Sequence, residues 1–265
     1  MGQLSENMRF LAQEDDKYFI DRSFGILHAL DIKLAPYAET LLNELKKPYK
    51  IKNKPILFIP VSHYLIFGED QERKIENDIT DILDLKYTSD SMLAIGETVN
   101  GEYSKANRKK QVTETLQKLS NLGVLPKAAI SQQSQLVDRF NGFEKAIFKF
   151  SEEKSIQLEG VESLEGAIIA TALESKLAFT HNDDDGAFRN EIKHRIGIEG
   201  RTRLALKRAN QRASDASSVI FFQGAFHLEG VKGWCQRHSV DLKVIVPSSI
   251  KSKFKGKNSS LEFVD

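Results

Sequence analysis

The sequence predicts an α/β protein, a mainly parallel sheet flanked by helices, with an N-terminal helical layer in front of it. Compact apolar runs recur at Pro55–Pro60, Met92–Ile95, Ile156–Leu158, Ser218–Phe222 and Leu242–Val246, with a shorter one at Leu177–Phe179. Each run ends in a polar residue and gives way to a longer stretch with helical spacing of its apolar residues. Strand, polar end and helix in repetition is the pattern of an open α/β sheet.

Residues 1–53 read as helical. Phe24, Leu27 and Leu30, then Tyr37, Leu41, Leu42 and Leu45, mark amphipathic faces, and Pro36 separates the two. The α/β domain is expected over 54–247. Its first crossover, EDQERKIENDITDILDL, repeats Ile75, Ile79, Ile82 and Leu83 at helical spacing. Residues 105–122 and 127–152 form two more helical patterns, with Gly123 and Pro126 as stop and restart signals. A helix over 163–176 follows the third run. The long basic stretch 184–212 precedes the fourth and is expected to break near Gly197 or Gly200. Residues 248–265 read as a loosely held polar, basic tail.

Composition narrows the function classes. The chain has 265 residues, enough for one large domain, with 40% hydrophobic and 28% charged residues. Lys and Arg total 38 against 37 Asp and Glu, a net charge of +1, so no broad basic footprint for nucleic acid exists. No apolar run approaches the roughly 20 residues of a membrane span. The N-terminus carries acidic residues where an export signal has its apolar core. Cys235 is the single cysteine, which excludes an internal disulfide and fits a reducing, cytoplasmic location. The expected partner is a small-molecule or peptide substrate.

Open α/β sheets bind ligands at the carboxyl ends of their strands. Those ends are readable here. PVSH delivers His63, GET delivers Glu97, EGVES delivers Glu159 and Glu162, and GAFH delivers His227. Gly224 opens the last turn and is suited to positive φ or close backbone approach. An exposed strand-end histidine makes few core contacts, so replacing His227 with alanine is expected to cost less than about 1 kcal/mol.

The series PVSH, LAIGET, SIQLEGVESLEG, GAFRNEIKHRI and VIFFQGAFHLEGVKGW, spanning roughly 54–247, resembles the TIKI/TraB superfamily, which includes erythromycin esterase-like and ChaN-like haem-binding members. Its pattern is two GxxH-type turns bracketing an acidic residue and an arginine. The resemblance implies a site of His63, Glu97, Glu162, Arg189 and His227. Pro60 stands where the family has glycine, and Val61 where its esterase- and ChaN-like members have glutamate.

Two neutral imidazoles and a carboxylate can hold a divalent metal, which makes His63, Glu97 and His227 candidate ligands. Water on such an ion becomes a nucleophile near neutral pH. Glu162 would act as general base or supporting carboxylate, and Arg189 would hold a carboxylate or an oxyanion. A metal-free version uses one histidine as general base. The expected function is therefore hydrolysis of an ester, amide or peptide bond. Two alternatives stand beside it. One is a catalytically silent pocket for haem or another small ligand, which Pro60 and Val61 favour. The other is a bacterial effector or interaction protein, acting through basic surfaces, for which delivery into another cell by a specialised route is one form.

Three other features read as structural. HNDDDG at 181–186 lacks the remaining positions of a calcium loop and reads as an acidic loop. Cys235 and His238 are three apart, well short of a zinc motif. RTRLALKRANQR and KSKFKGK read as solvated basic faces.

Overall fold

Apolar runs without a polar face form strands buried from both sides, and this chain places them at the centre of its sheet. The computed structural model describes residues 9–61, 68–99, 101–124, 137, 139–174, 178–179, 186–254 and 262–264, with backbone alone at 97–99, 252–253 and 262–264. Among these residues the strands are β1 (Ile56–Val61), β2 (Ser91–Val99), β3 (Gly101–Glu102), β4 (Leu158–Glu162), β5 (Ser218–Gly224), β6 (Leu242–Pro247) and β7 (Glu262–Val264). Their order is β3-β4-β2-β5-β1-β6-β7. Only β3 with β4 is antiparallel. The runs at 55–60, 92–95 and 218–222 form neighbouring strands: β5 lies between β1 and β2, in register from Ile56↔Val219 to Val61↔Gly224 and from Ser91↔Ser218 to Ile95↔Phe222. The carboxyl ends of β1, β2, β4, β5 and β6 therefore share one edge.

The helices are α1 (Asp16–Gly25), α2 (Ala35–Lys46), α3 (Glu69–Lys86), α4 (Lys105–Asn121), α5 (Gly142–Lys154), α6 (Leu164–Ala172), α7 (Gly186–Ile192), α8 (Arg201–Arg212) and α9 (Leu228–Arg237). One face of the sheet is covered by α3 and α5, through Ile75, Ile79 and Phe143 against Ile59, Ile220 and Phe222. The other is covered by α8 and α9, through Ala205, Leu206 and Trp234 against Phe58 and Phe221. The N-terminal helices add an outer layer on that second side, where Phe19, Leu41 and Leu42 pack with Ile168 and with Leu204 of α8. α8 is thus enclosed from both sides.

That enclosure overturns the solvated reading of RTRLALKRANQR. Arg203 and Lys207 are buried, and each cation of α8 meets a partner from a distant part of the chain. Arg203 binds Glu199 at 2.7 Å and Asp16 at 2.8 Å, and donates to the carbonyls of Leu11 and Glu14. The Lys207 ammonium donates to the carbonyls of Glu44, Leu45 and Lys47 and so caps the C-terminus of α2, where the helix dipole favours a cation. Arg212 takes Glu159 at 2.5 Å. Arg195, just upstream, holds Glu14 through two hydrogen bonds of 2.6 and 2.9 Å.

Several boundaries differ from expectation. The break near Gly197 or Gly200 is absent; α7 continues through a π-helix at Lys193–Gly200 into α8. The glycines serve packing instead, since a Cβ on Gly197 would lie 3.2 Å from Leu173 and one on Gly200 3.0 Å from Leu41. The third strand sits at Leu158–Glu162 rather than Ile156–Leu158, because Arg212 neutralises Glu159 within it. Phe179 makes only an isolated bridge to Leu30, outside the sheet, and residue 177 lies outside the described residues. Within the helical pattern read over 127–152, α5 begins at Gly142 behind an Asn141–Glu144 capping box, and residues 127–136 lie outside the described part. The tail is not loose at its start or near its end. Ser248–Phe254 forms 3-10 turns that bury Ile250 and Phe254, and β7 adds to the sheet beside β6. Two apolar side chains among lysines were enough to anchor it.

Two titratable groups make stability depend on pH in one direction. Burial works to raise the Asp16 carboxyl, but the hydrogen bond to His238 and the charges of Arg203 and Arg237 outweigh it and hold it below 3.8. Burial, with Lys193 nearby, pushes the His194 imidazole below 6.5. In both cases the unfolded chain binds the proton more readily than the folded one. Each contribution is full above the unfolded value and is lost as pH falls through the folded one. The thermal midpoint is expected to drop as pH falls below about 6.5, first through His194 and then through Asp16. His194→Gln should flatten the upper part of that decline in a midpoint-against-pH series.

Candidate functional site

The carboxyl edge brings two of the predicted residues together through α8. Glu162 is the last residue of β4, and Arg201 is the first of α8. The Arg201 guanidinium takes both Glu162 oxygens, with Nη2 to Oε2 at 2.8 Å and Nε to Oε1 as the second bond. Arg201 Nη1 also donates to the Gly197 carbonyl at 3.2 Å. Bidentate pairing of this kind fixes a carboxylate in place, so the arrangement fits a supporting role for Glu162 rather than proton transfer.

The next residue, Thr202, meets His227. Its Oγ1 lies 2.6 Å from His227 Nδ1 and donates to the Ile198 carbonyl at 2.8 Å. Consecutive residues of α8 therefore hold Glu162 and His227. The GAFH turn explains how His227 gets there. After Gly224, the 3-10 turn Ala225–His227 sends Phe226 outward, 77% exposed, and turns His227 inward to 4% exposure. This corrects the expectation of an exposed histidine. Gly224 has φ −54°, so positive φ is not what glycine supplies at this turn.

The remaining predicted residues are placed less fully. Glu97 lies within β2, not past its end, and its side chain is outside the described part. His63 and residues 181–185 of HNDDDG lie outside the described residues. Arg189, on α7, stacks its guanidinium over the Phe179 ring at 5.2 Å. Glu159 is not at the carboxyl edge; it pairs with Arg212 at the far end of α8. Among the described residues no group of three His, Cys, Asp or Glu side chains is arranged to hold a metal ion. Cys235 is buried and its thiol is pushed up to about 12 by burial, while His238 sits against Trp234 and Asp16. The two share no ligand geometry.

Sequence reasoning missed Arg201, Thr202 and Gln223. Gln223 is buried on β5, donates Nε2–H to the Gly96 carbonyl at 3.3 Å, and has no hydrogen-bond partner for Oε1 among the described residues. The glutamine directly before the GAFH turn was the available signal. A shallow depression of about 570 Å³ at the amino edge, lined by Asp90, Glu159, Arg212 and Asp215, faces away from these residues. Its position at the wrong end of the strands and its closed Arg212–Glu159 pair set it aside.

Among the described residues no helix is long and apolar enough to cross a membrane. Comparison with known proteins places the chain beside none of them: no family model, no curated protein and no solved structure matches it.

Proposed function

We propose that the chain hydrolyses an ester, amide or peptide bond at the carboxyl edge of its sheet, with His227 as the group that activates water. The observation that carries this reading is a buried imidazole at the end of β5, held through Nδ1 by Thr202. A histidine oriented through one nitrogen presents the other for chemistry, either as general base or as metal ligand. His63, Glu97 and His227 would hold a divalent ion, which would supply an acidified water. With Nδ1 engaged, His227 fits that donor set through Nε2. Glu162 fastens Arg201, and so fixes the start of the helix that carries Thr202.

The resemblance to the TIKI/TraB superfamily supports the same reading, and Val61 favours a second. Val61 is buried in the core of β1 where esterase-like members carry glutamate, and the loss of that carboxylate fits a pocket that binds a small ligand without turning it over. An effector reading through the basic helix 201–212 loses its surface, because that helix is enclosed.

The test is turnover of a panel of p-nitrophenyl esters and peptide amides, with chelator and with added divalent ions, alongside a haem titration. His227→Ala is expected to lower turnover by at least about 100-fold, as removal of a general acid or base does. Its unfolding free energy should fall by about 1–3 kcal/mol, because Thr202 loses a buried partner. Haem binding without turnover would select the second reading; unchanged turnover in His227→Ala would reject the first.

A further inference from the structure

Thr202 has a single hydroxyl proton and two neighbours. The Ile198 carbonyl, 2.8 Å away, can only accept. His227 Nδ1, 2.6 Å away, can donate or accept according to its tautomer. Both contacts are hydrogen bonds at once only if the Thr202 proton goes to Ile198 and the Nδ1–H of His227 goes to Thr202. We infer that Thr202 is a positioning residue that fixes His227 in the Nδ1–H tautomer, making Nε2 the nitrogen that works on substrate or metal. The inference rests on the proposed role of His227 for its catalytic consequence, but the tautomer itself does not.

The surroundings explain why the hydroxyl stays in place. Ile198 belongs to the π-helix at Lys193–Gly200, so the acceptor is set by backbone rather than by a rotating side chain. That segment is pinned on either side of Ile198, by Arg195 on Glu14 and by Glu199 on Arg203. The Thr202 methyl is confined by α9, where a Cβ on Gly230 would lie 3.1 Å from Cγ2. The chain from π-helix carbonyl to threonine to imidazole thus holds the ring through Nδ1. π-Helical segments of this kind recur at functional sites.

The test uses the full chain labelled with ¹⁵N-histidine, at alkaline pH, with long-range ¹H–¹⁵N correlation and the His227 signals identified by their loss in His227→Ala. The wild type should show a protonated Nδ1 and an unprotonated Nε2. Thr202→Ser keeps the hydroxyl and should keep this pattern. Thr202→Val keeps the shape without the hydroxyl, and should shift the population toward Nε2–H, the tautomer that imidazoles favour in water. On ester substrates Thr202→Val should lower kcat by roughly 10–100-fold with KM unchanged, and Thr202→Ser should restore most of it. A wild-type Nε2–H form, or a tautomer indifferent to Thr202→Val, overturns the inference. Absence of turnover in the wild type would strike the hydrolase reading alone, since the nitrogen signals report the tautomer regardless.

Discussion

Arg203→Met is expected to destabilise the protein by about 3–5 kcal/mol, the range for removing one partner of a buried ion pair. Arg203 is 2% exposed and makes four hydrogen bonds, to Glu199, Asp16 and the carbonyls of Leu11 and Glu14. Its guanidinium also lies 4.0 Å from the Phe19 ring centroid. Removing it strands Glu199, which is wholly buried and whose Oε2 already has no hydrogen-bond partner among the described residues. It also unties the segment around Leu11–Asp16 that the guanidinium clasps. Since folded domains hold only about 5–15 kcal/mol in total, such a loss should be plain in urea unfolding at neutral pH. Adding Glu199→Met to Arg203→Met should recover a large part of it, because the unpaired charge disappears. A cost below about 1 kcal/mol for the single variant would show that the network is not buried as described.

Gly233→Ala is the second large effect. A Cβ at this position would lie 2.2 Å from the Ala12 carbonyl oxygen, a contact with backbone that no rotamer change relieves. α9 and the N-terminal segment must separate, at a cost of about 1–3 kcal/mol or more. Gly142→Ala should behave alike, with its Cβ 2.1 Å from the Glu72 carbonyl oxygen. Gly25 supplies the control, because nothing lies within 4 Å of its Cβ position. It ends α1, where alanine should be neutral or stabilising. Thermal midpoints of the three variants should therefore separate Gly142 and Gly233 from Gly25.

The legible parts of the fold were those written in local pattern. β1, β5 and β6 are runs such as ILFIPV and SVIFF, and their apolar residues left little choice but a central strand. The four-residue spacing of Ile75 and Ile79 in α3 was equally direct. What escaped depends on partners far along the chain. RTRLALKRANQR looks solvated until Glu14, Asp16, Glu159 and the end of α2 are brought to it, and none of those lies nearby in sequence. Glu159 and Gly160 resemble a turn because the neutralising Arg212 is 52 or more residues away. Gly197 and Gly200 looked like a break, whereas they admit Leu173 and Leu41 against a π-helix. At the site, GAFH was visible as a strand end followed by a helix. The inward direction of His227 was not, because it is set by a 3-10 turn and by Thr202 on another element.

A double-mutant cycle on His63 and His227 tests most directly that the carboxyl edge forms one working site. kcat/KM on p-nitrophenyl esters would be measured for wild type, His63→Ala, His227→Ala and the double variant, each checked for folding by its thermal midpoint. Residues that act as a unit show strongly non-additive losses. The account predicts that each single variant removes nearly all turnover and that the double variant is no worse than the poorer single. Losses that multiply, or wild-type turnover in either folded single variant, would contradict it.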